Sequence, residues 1–249
     1  MLIIVLVILL ALLMSVKWAF ENNVLLKEIN NSELDGLNIF FISDIHRRKI
    51  NDTFISKIKQ HKIDFVFIGG DLAEGKVPLE RIDSNVKKLT QLAPTFFVMG
   101  NNDYELDFEE LTNIFDKYGV MMLTNESVKL SWENSELCLI GLDELNHSRE
   151  KLETVLTKEK VDTPYNILLC HNPIVLNYVV EQDPIDLILC GHTHGGQIRF
   201  GPIGLYKHGA WETFKNKLVL VSNGYGTTLL PMRFGAKAQT HIIKLKKLN

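Results

Sequence analysis

The hydrophobic pattern divides the chain into a membrane-like start and an alternating body. Met1–Val16 carries no charge, and Lys17-Trp18-Ala19-Phe20 follows it. Twenty helical residues span roughly 30 Å, the thickness of a bilayer's hydrocarbon core, and lysine and tryptophan suit its interface. The pattern therefore predicts a transmembrane helix over 1–20. Residues 21–36 (ENNVLLKEINNSELDG) are short and polar and read as a tether. From Leu37 onward, apolar runs of strand length (37–43, 64–70, 95–100) alternate with segments of helical spacing near 52–61, 81–91 and 107–118, such as Phe54, Ile55 and Ile58. The second half offers a hairpin over 128–132 and 136–142, a helix at 148–158 and another near 174–181. Further strands are expected at 166–170, 186–190, 217–223 and 240–245. Strands alternating with helices imply βαβ units and a buried parallel sheet. Two strand-rich halves with helices outside predict an α/β fold, a layered sandwich, and 37–249 reads as one domain.

Composition changes this picture little. Hydrophobic residues make up 46% and charged residues 23%, as in ordinary globular chains, and the net charge of −3 gives no sign of a nucleic-acid partner. Cys138, Cys170 and Cys190 are odd in number, lack metal-type spacing and lie in or at the end of apolar runs, so they read as buried small hydrophobes. No Lys or Arg precedes the apolar start and no small-x-small cleavage site follows it, which favours an uncleaved single-pass anchor in the cell membrane. Lys17 and Lys27 lie on its C-terminal side and tilt the body toward the cytoplasm.

The chemistry sits where the strands end. Asp44-Ile45-His46 follows the first strand, Gly69-Gly70-Asp71 the next, and Gly100-Asn101-Asn102-Asp103 the third. His171-Asn172-Pro173 and Gly191-His192-Thr193-His194-Gly195-Gly196 follow two strands of the second half. One Asp or Asn after a strand is usually a turn or cap residue, and one His is usually structural. Five such exits in succession point to a site, because α/β sheets bind ligands beyond the carboxyl ends of their strands. Mixed carboxylate, imidazole and amide donors suit manganese, iron or zinc better than calcium.

The order Asp-x-His, Gly-Asp, Gly-Asn-x-Asp, His, Gly-His-x-His resembles the calcineurin-like metallophosphoesterase superfamily over about residues 39–245. GHTHGGQI and LVSNGYGTTLLPMRFGAKAQ resemble its membrane-anchored or exported bacterial branch. The resemblance implies a sandwich of two mixed β-sheets flanked by helices, and two divalent metal ions, manganese foremost with iron or zinc as alternatives. It assigns Asp44, His46 and His194 to the first metal, Asp71 to both, and Asn101, His171 and His192 to the second. Asp71, Asn101 and His171 carry the catalytic roles, and a metal-bridging hydroxide is the expected nucleophile on a phosphodiester or pyrophosphate.

One departure stands out. Many members carry a histidine where this chain has Asn102, and an amide cannot deliver a proton. Either another group, with His147 and His208 as candidates, supplies the acid, or the leaving group needs none. Asn102, Arg47 and Arg48 are candidate substrate contacts, since Arg47-Arg48-Lys49 follows His46 directly. The bland reading of that run is a solvated loop or a partner for lipid headgroups. Leu229-Leu230-Pro231-Met232-Arg233-Phe234 is either core packing or an apolar lip for an acyl chain. The expected partners are a phosphate-containing substrate, a membrane lipid among the candidates, and the membrane itself. A broad phosphomonoesterase and a non-catalytic metal-binding scaffold are the alternative functions.

Overall fold

The computed structural model describes residues 2–144, 148–158, 161 and 163–247. Its first helix, α1 (Leu2–Ala19), is long and apolar enough to cross a membrane and leaves most of its surface uncovered. The segment expected to be a tether departs from that expectation: β1 (Val24–Asn30) pairs in parallel with all seven residues of the last strand, β12 (Thr240–Lys246). Lys27 and Glu28 sit in β1 because it is an edge strand, where charge blunts further pairing.

Among the described residues, twelve strands make two six-stranded mixed sheets. The first runs β1, β12, β2 (Asn38–Ile42), β3 (Phe65–Gly69), β4 (Thr95–Val98), β5 (Val120–Met122). The second runs β10 (Ala210–Phe214), β11 (Lys217–Val221), β9 (Leu187–Cys190), β8 (Asn166–Cys170), β7 (Ser135–Leu142), β6 (Glu126–Trp132). β2 to β5 are mutually parallel, as are β7, β8, β9 and β11, so both sheets deliver their carboxyl ends to one edge of the sandwich.

The layers follow from the apolar runs. Phe41, Phe67, Val98, Leu139, Ile167 and Leu189 face one another between the sheets and are buried. The opposite face of the first sheet packs against α2 (Asp52–Lys59), α3 (Leu79–Thr90) and α4 (Phe108–Tyr118), through Phe54, Val86 and Phe115 among others. α5 (Arg149–Lys158) covers the second sheet with Leu152 and Val155. Asn51 and Asp107 cap α2 and α4 by accepting from the backbone N–H groups of Phe54 and Glu110. The helix expected near 174–181 is instead a short 3-10 turn at Pro173–Asn177, and the three cysteines are buried.

Candidate metal centre

The first sheet contributes Asp44, His46, Asp71 and Asn101 from the ends of β2, β3 and β4, and the second contributes His171, His192 and His194 from the ends of β8 and β9. Asp44, His46 and His194 bring one donor atom each within 4.8 Å of one another, and so do Asp44, Asp71 and His171. His192 Nδ1 lies 2.9 Å from Asn101 Oδ1 and 3.2 Å from His171 Nε2. All seven residues assigned from the sequence thus converge on two adjoining clusters, with Asp71 between them: its Oδ2 is 3.3 Å from His171 Nε2 and 3.5 Å from His46 Nε2.

The backbone is bent to achieve this. Asp44, His46, Asp71, His192 and His194 all have φ between 48° and 70°. That left-handed region is disfavoured for residues with a Cβ, and such residues cluster at functional sites. Neighbouring glycines admit the turns: a Cβ on Gly70 would stand 2.6 Å from His171 Nδ1, and one on Gly100 would collide with the Asp71 carboxylate.

Each donor is held from behind. Asp44 Oδ2 accepts from Ser43 Oγ (2.5 Å) and Oδ1 from the His192 N–H (2.9 Å). Asp71 Oδ1 accepts from the Asn102 N–H (2.8 Å). His171 Nδ1 donates to Gly69 O (2.8 Å), which leaves Nε2 with a lone pair aimed at Asp71 Oδ2. A lone pair facing a carboxylate calls for positive charge between them, and the protonation behaviour says the same. Burial would depress the His171 pKa, but the Asp71 carboxylate outweighs it and raises the value to about 10. His46 is likewise raised against burial by Glu74, Asp71 and Asp44, whereas burial and His46 drive His194 well down. Carboxylate, imidazole and amide donors pointed inward in this way fit divalent metal ions.

The supporting residues were the ones missed in the sequence. Asp103 is wholly buried and accepts from the N–H groups of Asp71 (2.7 Å), Gly100 (2.8 Å) and Ala73 (3.2 Å); burial and Asp71 push its pKa up to about 7. Glu74 Oε2 lies 3.2 Å from His46 Nδ1 and its carboxylate pairs with Arg47. Arg233, also wholly buried, donates to the carbonyls of His194, Ala236, Asn223, Gly224 and Gly226. Asp103 had a legible signal in the Gly-Asn-x-Asp block; Glu74 and Arg233 had none.

Three expectations change. Arg48, a candidate substrate contact, is buried and donates to Tyr225 O, Phe20 O, Glu21 O and Asn22 Oδ1, so it binds the end of α1 to the domain. His208 has both ring nitrogens engaged, Nδ1 with Gly209 O and Nε2 with the Asn223 amide. Leu229 and Leu230 are exposed, so core packing does not describe that end of 229–234. His147 lies outside the described residues. Arg47 remains more than half exposed, and Asn102 lines a cleft of about 510 Å³ together with Asp71, Asn101, His192 and His194.

A family model described as calcineurin-like phosphoesterase matches residues 37–196. The chain is 47% identical over 210 residues to YpbG of Bacillus subtilis, covering 84% of this chain and 81% of that protein. It is 30% identical to the transmembrane protein with metallophosphoesterase domain of Danio rerio, over 86% of this chain and 54% of that protein, so it spans about half of that relative. It is 26% identical to phosphodiesterase YaeI of Escherichia coli, over 83% of this chain and 81% of that protein.

Proposed function

The chain belongs to the calcineurin-like phosphoesterase family and is a metal-dependent phosphoester hydrolase, and from that premise we propose that it uses two divalent ions to cleave a phosphodiester or pyrophosphate linkage. The observation that carries the reading is Asp71, whose Oδ2 lies between His46 and His171 at the junction of the two donor clusters. Divalent ions held there would supply Lewis-acid polarisation of the phosphoryl oxygens and of the attacking water.

The chain's own residues set the geometry. The Asn102 N–H fixes one oxygen of Asp71 and leaves the other facing both clusters. Gly69 O fixes the His171 ring, and Ser43 with the His192 N–H fixes Asp44. Asn102 cannot protonate a leaving group, and its side-chain amide donates to Glu105 Oε1 at 2.9 Å. This supports substrates whose leaving group departs as a stable anion. The N-terminal apolar helix and the transmembrane relative support anchorage in a membrane.

The test is metal content and rate together. The purified full chain, loaded with Mn²⁺, should hold two ions per chain and hydrolyse bis(p-nitrophenyl) phosphate faster than p-nitrophenyl phosphate. Two bound ions with no hydrolysis of either ester would favour a binding scaffold instead.

A further inference from the structure

The wall of the cleft opposite the strand ends is apolar. It is formed by two loops, 197–206 and 227–234, from which Leu205 and Leu229 project with 83% and 84% of their surface exposed. The same loops pack against α1. The Arg233 N–H donates to Ser15 O at 2.9 Å, and the rings of Trp18 and Phe234 lie 5.5 Å apart. Between α1 and the loops runs a second groove of about 240 Å³, lined by Ile8, Ala11, Leu12, Phe200 and Phe234. Ile198 borders both this groove and the cleft.

The depth of these contacts along α1 is informative. At a rise of 1.5 Å per residue, Ser15 lies about 6 Å and Ile8 about 16 Å from the Ala19 end of the helix. Half of a bilayer's hydrocarbon core is about 15 Å. Loops packed against α1 between those positions reach from one leaflet to about the midplane of any membrane that α1 crosses. The surroundings of the Ala19 end suit the polar interface: Lys237 lies over the Trp18 ring at 5.5 Å, and Lys17 is next in sequence.

We propose that the cleft opens into the leaflet and takes an amphiphilic phosphate ester, with its phosphate at the strand-end cluster and an alkyl chain passing Ile198 into the groove beside α1. This rests on the phosphohydrolase reading above and adds the substrate class. Exposed leucines at the mouth then meet lipid rather than water, which explains side chains that would be a liability in solution.

The test uses the full chain in phosphatidylcholine nanodiscs with Mn²⁺, and two p-nitrophenyl phosphodiesters whose second ester group is methyl or hexadecyl. The kcat/KM ratio, hexadecyl over methyl, should be tenfold or more, and Ala11→Phe, which fills the groove, should bring it close to one. Independently of turnover, Ile203→Cys carrying a polarity-sensitive fluorophore should emit blue-shifted light that brominated lipids quench, the native thiols being buried. Absence of hydrolysis of both esters would overturn the phosphohydrolase reading together with this one. Hydrolysis of the methyl ester with a ratio near one, or a ratio that Ala11→Phe leaves untouched, overturns this inference alone. A fluorophore quenched by aqueous iodide rather than by brominated lipid also overturns it. If Ala11→Phe separates a dimer and spares the ratio, the groove holds a second copy's helix and not an alkyl chain.

Discussion

The two walls of the cleft are built by different rules. The strand-end wall hangs from β2, β3, β4, β8 and β9, and its donors are fixed by backbone groups of neighbouring turns, at 2.8 Å for Asn102 N–H to Asp71 and 2.8 Å for His171 to Gly69 O. The loop wall has little sheet structure: Ile198 bridges Phe234 and Gly235, and Phe200 bridges Ile203. Buried arginines take the place of strands there. Arg199 donates to the carbonyls of Gly195, Pro202 and Tyr206, and Arg233 gathers carbonyls from both loops' roots. An ion tolerates little error in donor placement, so its ligands stand on rigid elements. A surface that meets substrate varies more freely, and loops held by side-chain donors allow that variation.

The sharpest way to break this comparison is at the strand-end wall. Asp71→Asn removes the carboxylate that lies between His46 and His171 while keeping its shape. Activity should fall about 10³-fold or more, roughly 4 kcal/mol in the barrier, and bound metal should drop below two ions per chain. The metal-free variant should melt within a few degrees of the parent. Near-normal turnover with two ions bound would sink the assignment of Asp71.

The loop wall should respond in stability first. Arg233→Met leaves buried carbonyls of His194, Asn223 and Gly226 without their donor. Each unsatisfied buried group costs about 1–3 kcal/mol, so a loss of about 3 kcal/mol in urea unfolding is expected. Faster amide exchange over 226–236 should accompany it, with protection in β2, β3 and β8 retained. Uniform loss of protection across both regions would mean that the walls are one unit.

A third measurement probes the layer beneath both walls. His241 of β12 is buried between the sheets beside Phe41 and Trp211, and burial drives its pKa down to about 3. It is neutral when folded and protonates near pH 6.5 when unfolded, so the unfolded state binds the extra proton below that pH. Its contribution is present above pH 6.5 and fades as pH falls toward 3, at about 1.4 kcal/mol per pH unit for one proton. His241→Phe should flatten the acid limb between pH 6.5 and 5 by about 2 kcal/mol in EDTA, where metal release does not intervene. An unchanged slope would show that His241 is not the group responsible.

How much was legible in the sequence follows the same division. The strand-end wall was readable because β2, β3, β4, β8 and β9 are covered on both faces, so each is a continuous apolar run ending abruptly in Asp, Asn or His. The three strands that were not expected, β1, β5 and β10, are all sheet edges. Their half-exposed residues, Lys27 and Glu28 or Trp211 and Glu212, break the apolar signal. The loop wall was only half readable: LLPMRF stood out as apolar, but nothing in the order of residues shows that Arg233 turns inward while Leu229 turns out. Adjacency misled in the same way at Arg47-Arg48, where alternate residues point to solvent and to the interior.

The smallest effect, and the one that joins the walls, is expected at Asn102. It stands in the strand-end wall by its N–H, which donates to Asp71, and lines the cleft shared with Leu205 and Leu229. Without an acid there, departure of a basic alkoxide is left to metal charge alone, whereas an aryl oxide or a phosphate leaves unaided. General-acid help is worth about 10²–10⁴-fold when the donor is well aligned. In Asn102→His the Glu105 carboxylate that now accepts from the Asn102 amide would be freed to accept from the imidazole, and, held in place by the Gly75 N–H, it would draw the ring toward itself rather than toward a leaving oxygen. The gain should therefore fall below that range, about tenfold or 1.4 kcal/mol in kcat/KM, and be confined to alkyl leaving groups. A series of diesters of graded leaving-group pKa measures it: the steep dependence of the parent should become shallower in the variant, with the two lines meeting at the aryl end. If the parent's rate is already indifferent to leaving-group pKa, a proton donor is present in the cleft, and the division between a chemical wall and a recognition wall would have to place that donor on one of them.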